Sequence, residues 1–151
     1  YLNQNIKWVQ KQELRKIPFV GKASEIAGHV FVDQSSLRSG KDTIAKAQSQ
    51  LGEGSSMVIF PEGARTKSGK MGRFKRGGFI IAKEMKLPIV PVTVNGPYDL
   101  MKIKTYLINP CKLELVIHDP ISTDDLTDEN MPEFIEKCRN IVHSGLWDKY
   151  K

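Results

Sequence analysis

The sequence is poor in cysteine and contains no long apolar run. Its two cysteines, Cys111 and Cys138, have no companion pair and no metal-ligand spacing, which argues against a disulfide scaffold and a zinc module. No run approaches the roughly 18 apolar residues of a membrane span, and no signal-peptide pattern is present. We therefore expect reduced, buried thiols, no metal site and a cytoplasmic environment.

Internal repeats and low-complexity segments are also missing. Charged residues make up 26% and apolar residues 40% of the 151 residues, and both values are typical of globular proteins. A chain of this length can bury about two-thirds of the surface that it exposes when unfolded. We expect a single domain over residues 1–151. Because the chain begins at Tyr1 rather than Met, we also expect a further segment upstream.

The positive charge of the chain is concentrated in one stretch. The net charge is +6, and residues 56–88 contain eight Lys or Arg against two Glu, so the rest of the chain is balanced. A surplus confined to one loop and its helix indicates a local anionic partner, such as a phosphate head group or an anionic membrane surface. A solvated lysine-rich loop is the alternative that composition alone allows.

The order of short apolar runs and helical patterns predicts an α/β layered domain. Its mixed sheet should be largely parallel and flanked by helices, because strands and helices alternate along residues 1–94. In the first helix, one face should comprise Phe19, Ala23, Ile26 and Ala27, and Gly28 should end the helix. The predicted strands cover residues 6–9, 30–32, 57–60 and 89–94, and the predicted helices cover 18–27, 35–51 and a segment from about 78.

The pattern changes toward the C-terminus. Residues 106–108, a turn at Asn109-Pro110 and the alternating run 112–117 predict an antiparallel hairpin at one side of the sheet. His118 would then stand at a strand end. A last helix should begin at Asn130. Its core-facing stripe should comprise Phe134, Cys138, Ile141 and Val142.

Between the two regions, a buried strand breaks into a basic loop. Pro61 should end the strand because it has no N–H to donate. Six Lys or Arg then lie within twelve residues, before Gly77-Gly78 lead into a helix. Unpaired N–H groups at a helix start and guanidinium forks both favour phosphate, so this loop predicts an anion site. It is not a nucleotide P-loop, since five residues separate its glycines where four are needed and Met71 replaces the required Ser or Thr.

Four sequence blocks occur in order within residues 5–96. They lie at 11–21 (KQELRKIPFVG), 28–33 (GHVFVD), 60–66 (FPEGART) continued by 74–79 (FKRGGF), and 87–92 (LPIVPV). Together they resemble the blocks of the 1-acylglycerol-3-phosphate acyltransferase family of glycerolipid acyltransferases, which include K-x-E-L-x-x-I-P-x-x-G, F-P-E-G-T-R-S and F-K-x-G-A-F. Four ordered blocks are a specific signal where a single one would be weak.

The resemblance implies transfer of a fatty acyl group from acyl-CoA or acyl carrier protein to lysophosphatidic acid (1-acyl-glycerol-3-phosphate) or a related phospho-alcohol in phospholipid synthesis. The thioester is a co-substrate, and no cofactor is implied. The family also has an N-H-x4-D block before the first of these four, whose histidine is the general base that takes the proton of the attacking alcohol. This chain has no such block before Lys11. We therefore expect the base upstream of Tyr1, and no catalytic residue or activity in this chain alone.

The three histidines of the chain offer no replacement for that base. His143 and Asp148 satisfy H-x4-D literally, but they follow every other block and lack the preceding asparagine. We interpret this match as chance, because two-residue motifs out of context are common. His29 adjoins the second block, yet no aspartate partner lies at the required spacing after it.

The resemblance places substrate binding on a small set of residues. Glu62 should organise the loop or accept a hydrogen bond from a substrate hydroxyl, the alternative being a surface carboxylate paired with a lysine. Arg65 and Lys75 should bind phosphate, the alternative being solvated charges. Gln34 stands where the family commonly has arginine and cannot form a bidentate ion pair, so the other two carry more of the phosphate or the acceptor is unusual. The full set is Glu62, Gly63, Arg65, Thr66, Lys75, Gln34 and Pro91, the last shaping a strand beside the pocket.

The expected partners are the phosphorylated glycerolipid acceptor, the acyl thioester donor and an anionic membrane surface, with no nucleic acid. The protein should act at the cytoplasmic face of a membrane, either peripherally or anchored through the missing N-terminal segment. Two alternatives stay open: a non-catalytic module that binds phosphate, anionic lipid or RNA, and a family member that has lost catalysis. No aromatic interleaving or RNA-binding signature supports the RNA version.

Overall fold

A computed structural model describes residues 5–32, 45, 49, 54–102, 105 and 107–151. The chain divides into two compact units, Tyr1–Phe60 (the N-terminal unit) and Pro61–Lys151 (the C-terminal unit). Gln34, Tyr106 and most of the helix predicted over 35–51 lie outside the described residues.

The N-terminal unit contains a parallel three-stranded sheet with the order β2-β1-β3. Strand β1 (Asn5–Lys11) pairs through its first half with β3 (Ser55–Val58), from Asn5↔Ser55 to Trp8↔Val58. Its second half pairs with β2 (Val30–Val32), from Val9↔Val30 to Lys11↔Val32. The predicted parallel sheet is thus confirmed, and the strand predicted at 30–32 has the expected bounds.

Strand β3 begins and ends two residues earlier than predicted. It covers Ser55–Val58, and all four residues are half-buried rather than covered on both faces. The ladder with β1 ends at Val58, so Ile59 and Phe60 leave the sheet before Pro61. Phe60 is 62% exposed and stacks on Trp8 with 5.8 Å between the ring centroids. Aromatic stacking, rather than strand pairing, therefore holds the end of this segment.

A 3₁₀ turn (Gln12–Lys16) and helix α1 (Val20–Ile26) connect β1 to β2. The helix ends at Ala27, and Gly28 follows at φ +70° as the expected stop. Gly21 is required inside the helix, because a Cβ there would lie 2.1 Å from the carbonyl oxygen of Arg15. This close approach determines which side of α1 is buried, namely the side of Gly21 and Ser24.

The apolar face predicted for α1 is wrong. Phe19 is 90% exposed and Ile26 is 78% exposed. The N–H of Val20 donates to the carbonyl of Pro18 at 2.7 Å, and Phe19 between them has φ +63°. This γ-turn places Phe19 outside the helix, so a helical period counted from Pro18 assigns the wrong face. Its positive φ is costly for a bulky residue, of the order of 1–3 kcal/mol.

Among its described residues, the C-terminal unit contains three α-helices and two strands in addition to the basic loop. Helix α2 (Gly77–Glu84) begins close to the predicted position, and the last helix, α4 (Met131–Ser144), begins one residue after Asn130. Between them lie β4 (Val92–Asn95), the short α3 (Pro97–Leu100) and β5 (Glu114–Ile117).

The antiparallel pair near the C-terminus is confirmed, but its predicted partner strand is wrong. Strand β5 pairs with β4, from Val92↔Ile117 to Asn95↔Glu114, and residues 107–108 are not in a strand. The longer connection is held close to β5 at Gly96, where a Cβ would lie 2.2 Å from the carbonyl oxygen of Lys112. The local turn signal at Asn109-Pro110 is therefore overridden by this tertiary pairing.

The apolar core of the C-terminal unit joins α2 to α4. Phe79, Leu126, Met131 and Cys138 are buried, and Phe134 meets Phe79 edge-on with 6.3 Å between the ring centroids. Burial raises the pKa of the Cys138 thiol to about 11, which keeps it protonated. Both cysteines are free, but the expectation that both are buried is wrong for Cys111, which is exposed.

A polar seam, comprising Thr93 and Asn95 of β4, is completely buried against α4. The Thr93 hydroxyl donates to the Val142 carbonyl at 2.7 Å, so its oxygen accepts from Nε2 of His118 at 2.9 Å. Asn95 Nδ2 donates to the Gly145 carbonyl at 2.9 Å. Each buried polar atom in these contacts has a partner, so the seam fixes the packing without an unmet hydrogen-bonding group.

Candidate functional site

The basic loop, defined as residues 61–76, lies within the C-terminal unit and precedes α2. Its two ends are joined because the N–H of Lys75 donates to the carbonyl of Pro61 at 2.7 Å. The first residue of the loop and its next-to-last residue are therefore adjacent in space. This closure brings the 60–66 and 74–79 sequence blocks together, although seven residues separate them in the chain.

Glu62 organises the interior of the basic loop. Its Oε2 accepts a hydrogen bond from the N–H of Gly72 at 2.7 Å, and the residue is half-buried. A hydrogen bond to a carboxylate is about twice as strong as one between neutral groups. This contact agrees with a loop-organising role for Glu62. No salt bridge joins Glu62 to a lysine in the part of the chain that the structure describes.

Gly63 allows the loop to fold back under the side chain of Lys75. Its φ is +70°, a region that favours glycine, and a Cβ there would lie 2.7 Å from Nζ of Lys75. The ammonium group of Lys75 is thus held above the backbone turn that follows Glu62. Two of the predicted substrate-binding positions are therefore in direct contact.

Arg65 projects from the same turn into solvent. It is exposed, and no hydrogen bond or ion pair joins its guanidinium to another described residue. Thr66, which follows, accepts a hydrogen bond from the N–H of Ser68 at 3.3 Å through its Oγ1. Thr66 therefore shapes the next bend, whereas the donors of Arg65 stay available for a ligand.

Arg76 at the end of the loop and Lys83 of α2 share one acidic partner. Arg76 donates to Asp128 at 2.9 Å, and Lys83 of α2 donates to the same carboxylate oxygen at 3.1 Å. The hydrogen bond from Lys83 lowers the pKa of Asp128, and the same contact raises the pKa of Lys83. The positive charge without a described partner therefore lies nearer the middle of the loop, on Arg65, Lys67, Lys70 and Arg73.

Helix α2 adds a second source of positive potential. No side chain caps its N-terminus, and it begins directly after Arg76. Free N–H groups in a first helical turn carry partial positive charge and favour anions. Both features favour anions, and the phosphate site stays a prediction.

The remaining predicted positions lie elsewhere. Pro91 is buried just before β4, and its carbonyl accepts from the N–H of His118 at 3.0 Å. It shapes the start of a strand, as expected, but no described hydrogen bond connects it to the basic loop. Gln34 is outside the described residues, so its predicted place in the acceptor site stays a prediction.

None of the described histidine contacts has the geometry of a general base oriented by a carboxylate. Nδ1 of His29 accepts from the N–H of Trp8 at 3.4 Å, and His118 bonds Thr93. Asp148 pairs with Lys151 at 3.0 Å, and no described hydrogen bond joins it to His143. The H-x4-D match at 143–148 therefore has the structure expected of a chance match.

Two contacts to the basic loop involve residues that the sequence analysis missed. The hydroxyl of Tyr98 donates to the carbonyl of Lys67 at 3.2 Å, and Nε of Arg139 donates to the carbonyl of Gly72 at 3.1 Å. Tyr98 lies on α3 and Arg139 on α4. No local pattern could identify them, because they are 31 and 67 residues away from their partners.

The described residues contain neither a membrane-spanning helix nor a metal-binding cluster. None of their helices combines the length and the apolar character that crossing a bilayer requires. They also contain no group of three or more His, Cys, Asp or Glu that could hold a metal ion.

A family model described as Acyltransferase matches residues 1–95 of the chain. The chain is 32% identical to the 1-acyl-sn-glycerol-3-phosphate acyltransferase BAT2, chloroplastic, of Brassica napus over 144 residues, covering 93% of this chain and 42% of that protein. It is 33% identical to the 1-acyl-sn-glycerol-3-phosphate acyltransferase of Saccharomyces cerevisiae over 133 residues, covering 86% of this chain and 44% of that protein. The chain thus spans less than half the length of these relatives.

The fold is also similar to a solved structure, that of the 1-acyl-sn-glycerophosphate (LPA) acyltransferase PlsC from Thermotoga maritima. The TM-score is 0.73 at 28% sequence identity, and the match covers 95% of this chain and 59% of that one. The parallel sheet, the helices and the antiparallel C-terminal pair therefore form a known α/β architecture. The basic loop begins within the residues that the family model matches and ends before residue 95.

Proposed function

We propose that this chain, which belongs to the acyltransferase family, forms the acceptor-binding part of an enzyme that transfers a fatty acyl group to lysophosphatidic acid. The names of its relatives support this acceptor, since they are 1-acyl-sn-glycerol-3-phosphate acyltransferases. The product would be phosphatidic acid or a close relative. The donor is an acyl thioester, either acyl-CoA or acyl carrier protein.

The observation that carries the proposal is the closed basic loop. Glu62 and the Pro61–Lys75 hydrogen bond hold the loop in one shape, while Arg65 is exposed and its guanidinium has no described partner. A phosphate monoester at this loop would meet a guanidinium fork and the ammonium group of Lys75. Such charge-assisted contacts are strong and geometrically selective.

The chain's own role is binding and orientation. In the transfer, the acceptor hydroxyl loses its proton as its oxygen attacks the thioester carbonyl, and the thiol leaves. Holding the acceptor by its phosphate places that hydroxyl at a fixed distance, which converts a bimolecular encounter into a positioned one. The proton requires a general base. The described contacts of His29, His118 and His143 do not supply one, so we assign the base to a part of the protein outside this chain.

We further propose that the protein works at the surface of an anionic membrane, on its cytoplasmic face, because the acceptor is a lipid. In the N-terminal unit, the exposed Phe19 and Ile26 lie close in sequence to the exposed lysines Lys16 and Lys22. Apolar side chains beside lysines are suited to the boundary between head groups and acyl chains. Attraction to anionic lipid adds about 1 kcal/mol per Lys or Arg near the surface.

The proposal is tested by comparing acceptors on the full-length protein. Steady-state turnover of an acyl-CoA should be measured with lysophosphatidic acid and with monoacylglycerol, which has the same hydroxyl but no phosphate. We expect kcat/KM at least about 100-fold higher with the phosphate, equivalent to two charge-assisted contacts of roughly 1.5 kcal/mol each. Equal values for the two acceptors would remove the phosphate-binding role of the loop.

A non-catalytic binding module is the alternative function. It would bind lysophosphatidic acid with salt-sensitive affinity and release it unchanged. Mass spectrometry of the lipid after incubation with acyl-CoA and with acyl carrier protein thioester separates the two functions. Recovery of unmodified acceptor with both donors, despite tight binding, would favour the module.

A further inference from the structure

The structure assigns Arg139 and Tyr98 as positioning residues that hold the basic loop in its phosphate-binding shape. This inference rests on the proposed function of the loop. Neither residue lies in the four sequence blocks, and both reach the loop from helices that follow it in the chain. Neither is placed to touch the reacting atoms, so any effect on the reaction must pass through the loop.

Arg139 fixes the loop at Gly72. The N–H of Gly72 donates to Glu62, and its carbonyl accepts from Nε of Arg139 at 3.1 Å. The backbone N–H and the carbonyl of Gly72 are therefore both hydrogen-bonded, one to Glu62 within the loop and the other to Arg139 on α4. The Arg139 side chain is 27% exposed and also lies 3.6 Å from Glu136 on the same helix. The partial burial of Arg139 and its bond to Gly72 restrict its rotamers before any ligand arrives.

Tyr98 fixes the opposite side of the loop. Its hydroxyl donates to the Lys67 carbonyl at 3.2 Å, and its ring packs on Gly69. A Cβ at Gly69 would lie 3.1 Å from the ring, and Gly69 has φ +84°, so a side chain is excluded for two reasons. The ring and the hydroxyl together prevent the segment around Lys67 from moving outward.

The two anchor points lie next to exposed cations of the basic loop. Arg65 lies two residues before Lys67, and Arg73 directly follows Gly72. Without the anchors, ordering this stretch would cost conformational entropy at the moment of binding. With the anchors in place, the loop is already ordered in the folded protein, so acceptor binding does not have to order it. Loss of an anchor should therefore weaken acceptor binding more than it slows the chemical step.

The test uses the full-length protein with Tyr98→Phe and Arg139→Gln. Tyr98→Phe keeps the ring on Gly69 and removes only the hydroxyl. We expect KM for lysophosphatidic acid to rise about 2- to 10-fold for Tyr98→Phe and about 10-fold or more for Arg139→Gln, from the usual strength of neutral and charged hydrogen bonds. The kcat and the KM for acyl-CoA should stay within a factor of about two. Arg139→Lys should recover part of the loss.

The structure offers a matched control for each variant. Tyr150→Phe also removes a tyrosine hydroxyl hydrogen bond, to Asp99 at 2.8 Å, without touching the loop. Glu136→Gln removes the ion pair of Arg139 but leaves its bond to Gly72. Both controls should keep the wild-type KM for lysophosphatidic acid. If the controls raise this KM as much as Tyr98→Phe and Arg139→Gln do, the positioning role is wrong.

Limited trypsin digestion tests whether Tyr98 and Arg139 hold the basic loop in place, without measuring turnover. Trypsin cleaves after Arg or Lys, and the loop contains several exposed ones. Tyr98→Phe and Arg139→Gln should be cleaved faster within residues 65–73 than the wild type and the controls, at unchanged melting temperature. Equal cleavage rates would show that Tyr98 and Arg139 do not hold the loop in place. If the two variants are cleaved faster than the wild type but the wild type transfers no acyl group, the proposed function is wrong and the positioning role of Tyr98 and Arg139 still holds.

Discussion

Arg65→Lys is the perturbation that tests the predicted phosphate contact most directly. Arg65 is exposed, and its guanidinium has no described partner, so the substitution removes no contact of the ligand-free protein. Surface changes of this kind usually alter the free energy of unfolding by less than about 0.5 kcal/mol. The substitution should therefore leave the fold intact, and a fall in kcat/KM would report a lost contact with the bound acceptor.

The expected magnitude follows from the geometry that lysine cannot reproduce. Lysine keeps the charge but loses the planar fork that binds two phosphate oxygens at once. Loss of one charge-assisted hydrogen bond costs about 1.5–3 kcal/mol, or roughly 10- to 150-fold in kcat/KM for the acceptor. Because Gly63, two residues before Arg65, turns the backbone at φ +70° and lies against the Lys75 side chain, we expect Arg65 and Lys75 to contact the same phosphate.

The assay is steady-state kcat/KM for lysophosphatidic acid with the full-length protein, accompanied by a thermal melt. Arg73→Lys is the matched control, since Arg73 is also exposed in the basic loop without a described partner. We expect the control to change kcat/KM by less than about threefold, because the proposed two-point phosphate contact is made by Arg65 and not by Arg73. If Arg65→Lys behaves like the control while the fold is intact, Arg65 is a solvated loop charge and the phosphate is held elsewhere.

Three further predictions concern the loop, the acid stability and the membrane surface. Gly63→Ala should raise the acceptor KM while lowering the melting temperature only moderately, because alanine is strained at φ +70° and its Cβ, 2.7 Å from Nζ of Lys75, would displace that ammonium group; an unchanged acceptor KM would contradict this. The hydrogen bond from Lys149 lowers the pKa of Asp99, so the stabilisation is present above the unfolded pKa of about 3.9 and is lost as the pH falls through the folded value. Thermal melts from roughly pH 2 to 7 should therefore show a gap between wild type and Asp99→Asn that closes in acid, and a constant gap would refute it. Phe19→Ala should weaken sedimentation with vesicles containing anionic lipid, and high salt should weaken it for both proteins; equal binding to neutral vesicles would show that charge is irrelevant.

The sequence predicted those parts of the structure that local patterns determine. The strand at 30–32, the stop at Gly28 and the start of α2 all depend on neighbouring residues, and all three are confirmed. The loop-organising role of Glu62 was also predictable, because proline and glycine on either side restrict the turn. The resemblance to acyltransferases added the family, which composition alone could not supply.

Other features depend on contacts that no local pattern contains. The γ-turn at Phe19 shifts the helical phase of α1, so a correct period gave the wrong buried face. The partner of β5 is β4, which lies beyond a nearer turn signal. Tyr98 and Arg139 contact the basic loop across 31 and 67 residues of chain. Their residue types are common on helix surfaces, and only the folded arrangement distinguishes them.

The polar seam also restricts the axial position of Arg139 on α4. Thr93 and Asn95 bond the carbonyls of Val142 and Gly145, so the helix cannot slide along the sheet without leaving buried donors unmet. A slip of one turn would displace every residue of α4 by about 5.4 Å. Arg139 lies one turn before Val142, and a displacement of that size would carry its Nε beyond reach of Gly72. An apolar contact between β4 and α4 would tolerate small translations of the helix. The hydrogen bonds of the polar seam do not, so they fix the position of Arg139 along the helix axis relative to the basic loop.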